Sequence, residues 1–165
     1  MQNITIRHVL PKDLDECLTV ETSGFPPEEA ASRETIRLRI ETFPEGFLVA
    51  EVDGRIVGIL NSAATNKDDI GDEELKQLIG HHAAGRNMVV FALAVLPDFQ
   101  NQGIARQLMS TFVEEARERG KQNVLLMCKQ HLINYYERMG FDHIGLSRST
   151  HGGAEWHQMR LGLRP

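Results

Sequence analysis

The spacing of apolar positions changes at identifiable points along the chain, and each change marks an element. Ile4 and Ile6 alternate with Thr5 and Arg7, a period of two that predicts a first strand over residues 4–9. Pro11 and Asp13 open a helix bearing Leu14, Cys17, Leu18 and Glu21, which the rigid 23–27 stretch (S-G-F-P-P) ends. Residues 28–42, with Ile36, Leu38 and Ile40, read as a second helix. Two apolar-rich strands over 47–52 and 55–63 are joined by Asp53-Gly54, a two-residue hairpin signal. The continuous apolar run 89–96 reads as a buried strand that Pro97 and Asp98 end. From Ile104 onward, Leu108, Phe112 and Ala116 recur at helical spacing, Arg106, Glu114, Glu115, Arg117 and Glu118 take the other face, and Gly120 closes the helix. Residues 123–128 form another buried strand, 132–139 a short helix, and 143–148 with 155–163 a hairpin around His151-Gly152-Gly153. The order β-α-α-β-β-β-α-β-α-β-β describes an α/β chain of about seven strands and about four helices.

Composition narrows the class without naming a chemistry. A chain of 165 residues with 41% hydrophobic and 25% charged positions is an ordinary globular balance, and we expect one domain over 1–165. A net charge of −5 argues against a general nucleic-acid surface. No apolar run approaches the ~20 residues that span a bilayer, and the first residues lack a signal-peptide pattern. Cys17 and Cys128 have no C-x-x-C spacing, so free thiols in a reducing cytoplasm are expected. The polar, acidic 65–87 stretch is a long insertion between strands, with one amphipathic turn at Leu75, Leu78 and Ile79, and it reads as a flap over a substrate site. Its Asp68, Asp69, Asp72, Glu73 and Glu74 could attract a cationic amine or be no more than solvated loop charge.

Chemistry enters at the turn between the 89–96 strand and the following helix. Gln100, Asn101, Gln102, Gly103, Ile104, Ala105 and Arg106 form a small-residue loop running into a helix N-terminus, where free N–H groups and the helix dipole favour an anion. A Walker loop would need Lys and Ser or Thr after its last glycine, and a Rossmann fingerprint would need three spaced glycines; neither is present. The pattern Q-x-x-G-x-A after A-L-A-V-L-P, with Tyr135-Tyr136-Glu137-Arg138-Met139-Gly140-Phe141 further on, resembles the GCN5-related N-acetyltransferases over nearly the whole chain. Within that family the look is nearest the arylalkylamine N-acetyltransferases.

The resemblance implies an acetyltransferase with a mixed, mostly antiparallel sheet that uses acetyl-CoA and a small primary amine as acceptor, with homodimer formation left open; no metal is expected, because His81-His82 lacks partners at ligand spacing. It also implies that the loop amides hold the cofactor's pyrophosphate. The pantetheine would pair with the backbone of Leu93, Ala94 and Val95, and the Leu93 N–H would serve the developing oxyanion. By the same resemblance Tyr136 is the general acid, a role that suits a phenol. The two histidines of the animal arylalkylamine enzymes align with Val89 and Phe91, which cannot titrate, so the general base stays open among His81, His82, Glu28, Glu29, Glu51 and a water chain. Acetylation of a protein amine and a catalytically silent acyl-CoA-binding domain are the competing implications. Cys128, at the end of an apolar run, reads as a buried thiol rather than a nucleophile.

Overall fold

The computed structural model describes residues 3–163. Seven strands and four helices follow the expected order: β1 (Ile4–His8), α1 (Leu14–Gly24), α2 (Arg33–Thr42), β2 (Leu48–Val52), β3 (Arg55–Thr65), β4 (Asn87–Val95), α3 (Ile104–Glu118), β5 (Asn123–Cys128), α4 (Ile133–Glu137), β6 (Asp142–Leu146) and β7 (His157–Gly162). The strands form one mixed sheet in the order β1-β2-β3-β4-β5-β7-β6. The β1–β2, β2–β3, β5–β7 and β6–β7 pairs are antiparallel, and β4–β5 is parallel. A parallel pair needs a crossover rather than a hairpin, and α3 supplies it.

The chain divides into two compact units. The first comprises Met1–Ser62 and Ala92–Phe112, and so holds β1, β2, α1, α2, most of β3, the end of β4 and the start of α3. Its β2–β3 hairpin turns on Asp53 (φ 52°) and Gly54 (φ 78°), the doubly left-handed turn that suits the strand twist. Gly58 is fixed by packing: a Cβ there would come within 3.1 Å of Leu108 and 3.2 Å of Ile104, so β3 passes close beneath α3. The α2 helix starts five residues later than its apolar pattern suggests. Glu21 Oε2 accepts the Ala31 N–H at 2.9 Å, and Ser32 Oγ caps the Thr35 N–H at 3.2 Å, which holds residues 28–32 in turns.

The second unit comprises Ala63–Phe91 and Val113–Pro165. Here α3 ends in a Schellman arrangement, with Gly120 at φ 74° and the Lys121 N–H reaching Ala116 O at 3.0 Å. The expected C-terminal hairpin is present. However, β7 lies between β5 and β6, so the last strand is interior and β6 takes the edge. The short helix is α4 alone, preceded by a 3-10 turn over Gln130–Leu132.

Candidate functional site

In the first unit the site begins on β4. The Leu96 N–H donates to Val57 O at 2.8 Å, so the N–H groups of Ala92 and Ala94 also face β3, because backbone donors alternate along a strand. Those of Leu93 and Val95 therefore face the opposite edge. The β4–β5 register pairs Asn87–Val90 with Asn123–Leu126.

The strand leads into a 3-10 turn over Pro97–Phe99, where the Phe99 N–H returns to Leu96 O at 2.9 Å. Gln100 Nε2 donates to Val95 O at 3.1 Å and anchors the loop to the end of the strand. Asn101 (φ 62°) and Gly103 (φ 82°) are left-handed, which turns the chain sharply before α3. A Cβ at Gly103 would meet nothing within 4 Å, so the backbone angle and not protein crowding demands glycine there. Gly103 O accepts the first helical bond, from Gln107 N at 3.0 Å, which leaves the N–H groups of Ile104, Ala105 and Arg106 without intrahelical partners. Ile104 is buried beneath the turn, while Asn101, Gln102, Gly103 and Arg106 are exposed. The first turn of α3 contains no acidic residue to compete for these donors. An anion with several oxygens fits this arrangement chemically, by the donors present and by the dipole.

In the second unit Tyr136 lies on α4 and is 8% exposed. Its ring meets Tyr135 edge-on at 5.1 Å and Phe141 at 5.8 Å. Burial first, then Tyr135 and Cys128, pushes its phenol above the ordinary value, so the proton is held firmly at neutral pH. Burial also pushes the Cys128 thiol up to about 11, which makes it a poor nucleophile.

The acidic insertion, expected as a flap over a substrate site, lies in the second unit. Its carboxylates are engaged: Asp68 with Arg86 at 2.9 Å, Asp69 with Arg148 at 3.0 Å, Asp72 with Lys67 at 3.1 Å. Glu73 accepts from Ser149 Oγ at 2.7 Å and meets His151 Nδ1 at 3.1 Å. Lys121 Nζ binds Ala83 O and Gly85 O, both at 2.6 Å, and a Cβ at Gly85 would collide with the Thr65 backbone at 2.6 Å. The insertion is thus stapled down along its length, and the carboxylates of Asp68, Asp69, Asp72 and Glu73 are engaged in ion pairs. Among the suggested bases, His81 Nδ1 accepts the Ala64 N–H at 3.0 Å, Glu51 is bonded by Arg7 at 2.8 Å, and His82 and Glu28 are exposed.

Sequence reasoning missed an apolar cluster in this unit. Ala63, Ile70, Leu75, Val89 and Leu125 are buried together, with Leu78, Phe91 and Met127 partly buried against them. Leu75 and Leu78 belong to the amphipathic turn visible in the sequence, whereas Ile70 lies in a stretch whose polarity hides its destination.

A family model described as "Acetyltransferase (GNAT) family" matches residues 13–141. Serotonin N-acetyltransferase of Mesocricetus auratus is 26% identical over 171 residues, covering 96% of this chain and 81% of that protein. An uncharacterized N-acetyltransferase of Bacillus subtilis is 29% identical over 122 residues, covering 67% of this chain and 54% of that protein. Against a probable hydrolase of the same bacterium the chain covers only 26% of the length, so it spans between about a quarter and about half of these bacterial relatives. The loading GNATL domain of CurA from Lyngbya majuscula shares the fold at a TM-score of 0.87 and 17% identity, with 98% of each chain covered.

Proposed function

Because the chain belongs to the acetyltransferase (GNAT) family, we propose that it transfers an acetyl group from acetyl-CoA to a primary amine by direct attack on the thioester. The observation that carries this reading is the end of β4, whose Leu93 and Val95 N–H groups turn to the edge away from β3, running straight into the donor-rich loop. An extended pantetheine arm can add to that edge as a further strand, drawing affinity from backbone hydrogen bonds. Its pyrophosphate would then meet the N–H groups of Ile104, Ala105 and Arg106 at the α3 N-terminus. Gln102, Asn101 and Gly103 shape the approach, and the Arg106 guanidinium adds positive charge beside it.

The reaction follows from what the thioester needs. The amine nitrogen attacks the carbonyl carbon, the C–N bond forms, and the carbonyl oxygen gathers negative charge. The Leu93 N–H, on the edge away from β3, serves as the donor to that oxyanion. When the C–S bond breaks, the thiolate takes a proton from Tyr136, and the amine nitrogen releases one in turn. A phenol whose proton is held above its ordinary pKa remains protonated until a strong base appears beside it. Apolar side chains on β4 are compatible with these roles because the backbone does the binding.

Acetyl-CoA titration of wild type and Gly103→Val tests the cofactor part. The β-branched residue disfavours φ 82° and narrows the approach, so affinity should fall at least about tenfold while the fold persists. Unchanged affinity in a folded variant would place the pyrophosphate elsewhere. Thiol release with an amine panel tests transfer, and binding without turnover of any amine would instead favour a silent acyl-CoA-binding domain.

A further inference from the structure

From the end of β4 we infer that Gln100 is a specificity-determining residue for the acyl donor, reading the second amide of the donor's pantetheine arm. The inference rests on the acyl-transfer reading above and concerns which part of the donor the site recognises beyond the thioester.

The Leu96 N–H faces β3, so the N–H and C=O of Val95, one residue back, face the opposite edge. Gln100 Nε2 donates to Val95 O at 3.1 Å, which folds the side chain back across the 3-10 turn onto that same edge. Its backbone is fixed by the N–H bond to Pro97 O at 3.3 Å and by the left-handed Asn101 that follows. Gln102 donates from Nε2 to Asp98 O at 3.4 Å, so its bond stays within the loop. The two glutamines are therefore not equivalent. Only the NH2 end of a carboxamide can face a carbonyl, so Val95 O assigns the orientation of Gln100 and leaves Oε1 as the acceptor at the other end. Gln100 is exposed, and among the described residues no group donates to Oε1.

An arm laid along this edge as a further strand meets Leu93 N–H, Leu93 O, Val95 N–H and Val95 O in turn. With the thioester oxygen on the Leu93 N–H, the first arm amide lies between Leu93 O and the Val95 N–H. It has an N–H for the one and a carbonyl for the other. The second amide would next bring its N–H to Val95 O, where Gln100 Nε2 already stands. A neighbouring strand runs only ~4.8 Å away, so the arm cannot keep to the edge past that side chain. It turns toward the loop, and its second N–H meets Gln100 Oε1 instead. That direction also leads to the N–H groups of Ile104, Ala105 and Arg106. The side-chain chemistry is selective: a glutamate would set a carboxylate against Val95 O, and an arginine would bond Val95 O but offer no acceptor to the arm.

The test uses two phosphate-free donors, S-acetylpantetheine, which has both arm amides, and S-acetyl-N-acetylcysteamine, which ends after the first. With one amine held fixed, kcat/KM of the wild type should favour S-acetylpantetheine by about tenfold, the loss expected for one hydrogen bond. Gln100→Met and Gln100→Arg should each bring that ratio to within about twofold of unity, although arginine keeps a donor for Val95 O. Unfolded protein lowers both rates alike and leaves the ratio unmoved. Calorimetric titration supplies a readout without turnover: Gln100→Met should weaken coenzyme A about tenfold and the arm-free nucleotide half of coenzyme A much less. A wild-type ratio near unity, a ratio preserved in Gln100→Arg, or equal weakening of coenzyme A and its nucleotide half would overturn the inference, leaving Gln100 as a staple of the loop and acetyl transfer standing. Absence of both coenzyme A binding and thiol release would overturn the acyl-transfer reading, and this inference with it.

Discussion

At the scale of single residues, the tyrosine pair separates a chemical role from a packing role. Tyr135 and Tyr136 are neighbours in sequence and touch edge-on, yet Tyr136 is buried and Tyr135 only half so. Tyr136→Phe keeps the ring contact with Phe141 at 5.8 Å and removes only the hydroxyl. If Tyr136 is the proton donor, turnover at saturating substrate should fall by about 10²–10⁴-fold while acetyl-CoA affinity changes little. Tyr135→Phe should be nearly silent. Wild-type turnover in Tyr136→Phe would remove the role, and a loss confined to Tyr135→Phe would move it one residue back. This residue could be singled out from sequence because Gly140-Phe141 fixes its spacing. The neighbours of Val89 could not: an apolar residue in an apolar strand reads the same whatever buries it, and Ile70 and Leu75 join it from a polar stretch.

At the scale of elements, the sequence carried what local chemistry decides. Asp53-Gly54, Gly103 and Gly120 each sit where the backbone turns left-handed, and the elements beside them begin and end as expected. The late start of α2 escaped notice because Glu21, ten residues away, supplies the hydrogen bond that holds Ala31 out of the helix. The insertion escaped for the same reason, since its staples come from β7, the β6–β7 connection and Lys121, all remote in sequence. The Lys121 staple can be tested directly. Lys121→Met keeps the length of the side chain and removes the ammonium that binds Ala83 O and Gly85 O at 2.6 Å. Local opening of 82–86 should then become easier, and amide hydrogen exchange there should speed up by about tenfold, the factor expected for the loss of roughly 1.5 kcal/mol of charge-assisted bonding. Exchange within β5 should not change. Uniform acceleration across both would mean that Lys121 supports the whole unit and not the insertion alone.

At the scale of the whole molecule, stability should respond to alkaline pH through the two buried thiols. Cys17 and Cys128 are 0% and 2% exposed, and burial pushes their thiols up to about 12 and about 11, from 9.0 ordinarily. Both pKa values are raised in the folded state, so the neutral thiol is favoured there. Their contribution is fully present below about pH 9 and is lost as pH rises toward 11 and 12, because the unfolded chain releases protons that the folded chain keeps. Each thiol should add a slope of about −1.4 kcal/mol per pH unit to the unfolding free energy within that window. Tyr136, raised by burial as well, pushes in the same direction at higher pH. The double variant Cys17→Ala, Cys128→Ala leaves small cavities and should be less stable at pH 7, so the readout is the slope and not the level. Denaturant unfolding between pH 8.5 and 10.5 should give a curve flatter than wild type by up to about 2.7 kcal/mol per pH unit, the sum of the two thiol terms. Identical slopes would mean that the thiols ionise as readily in the folded chain as in the unfolded one, and their burial would have no hold on alkaline stability.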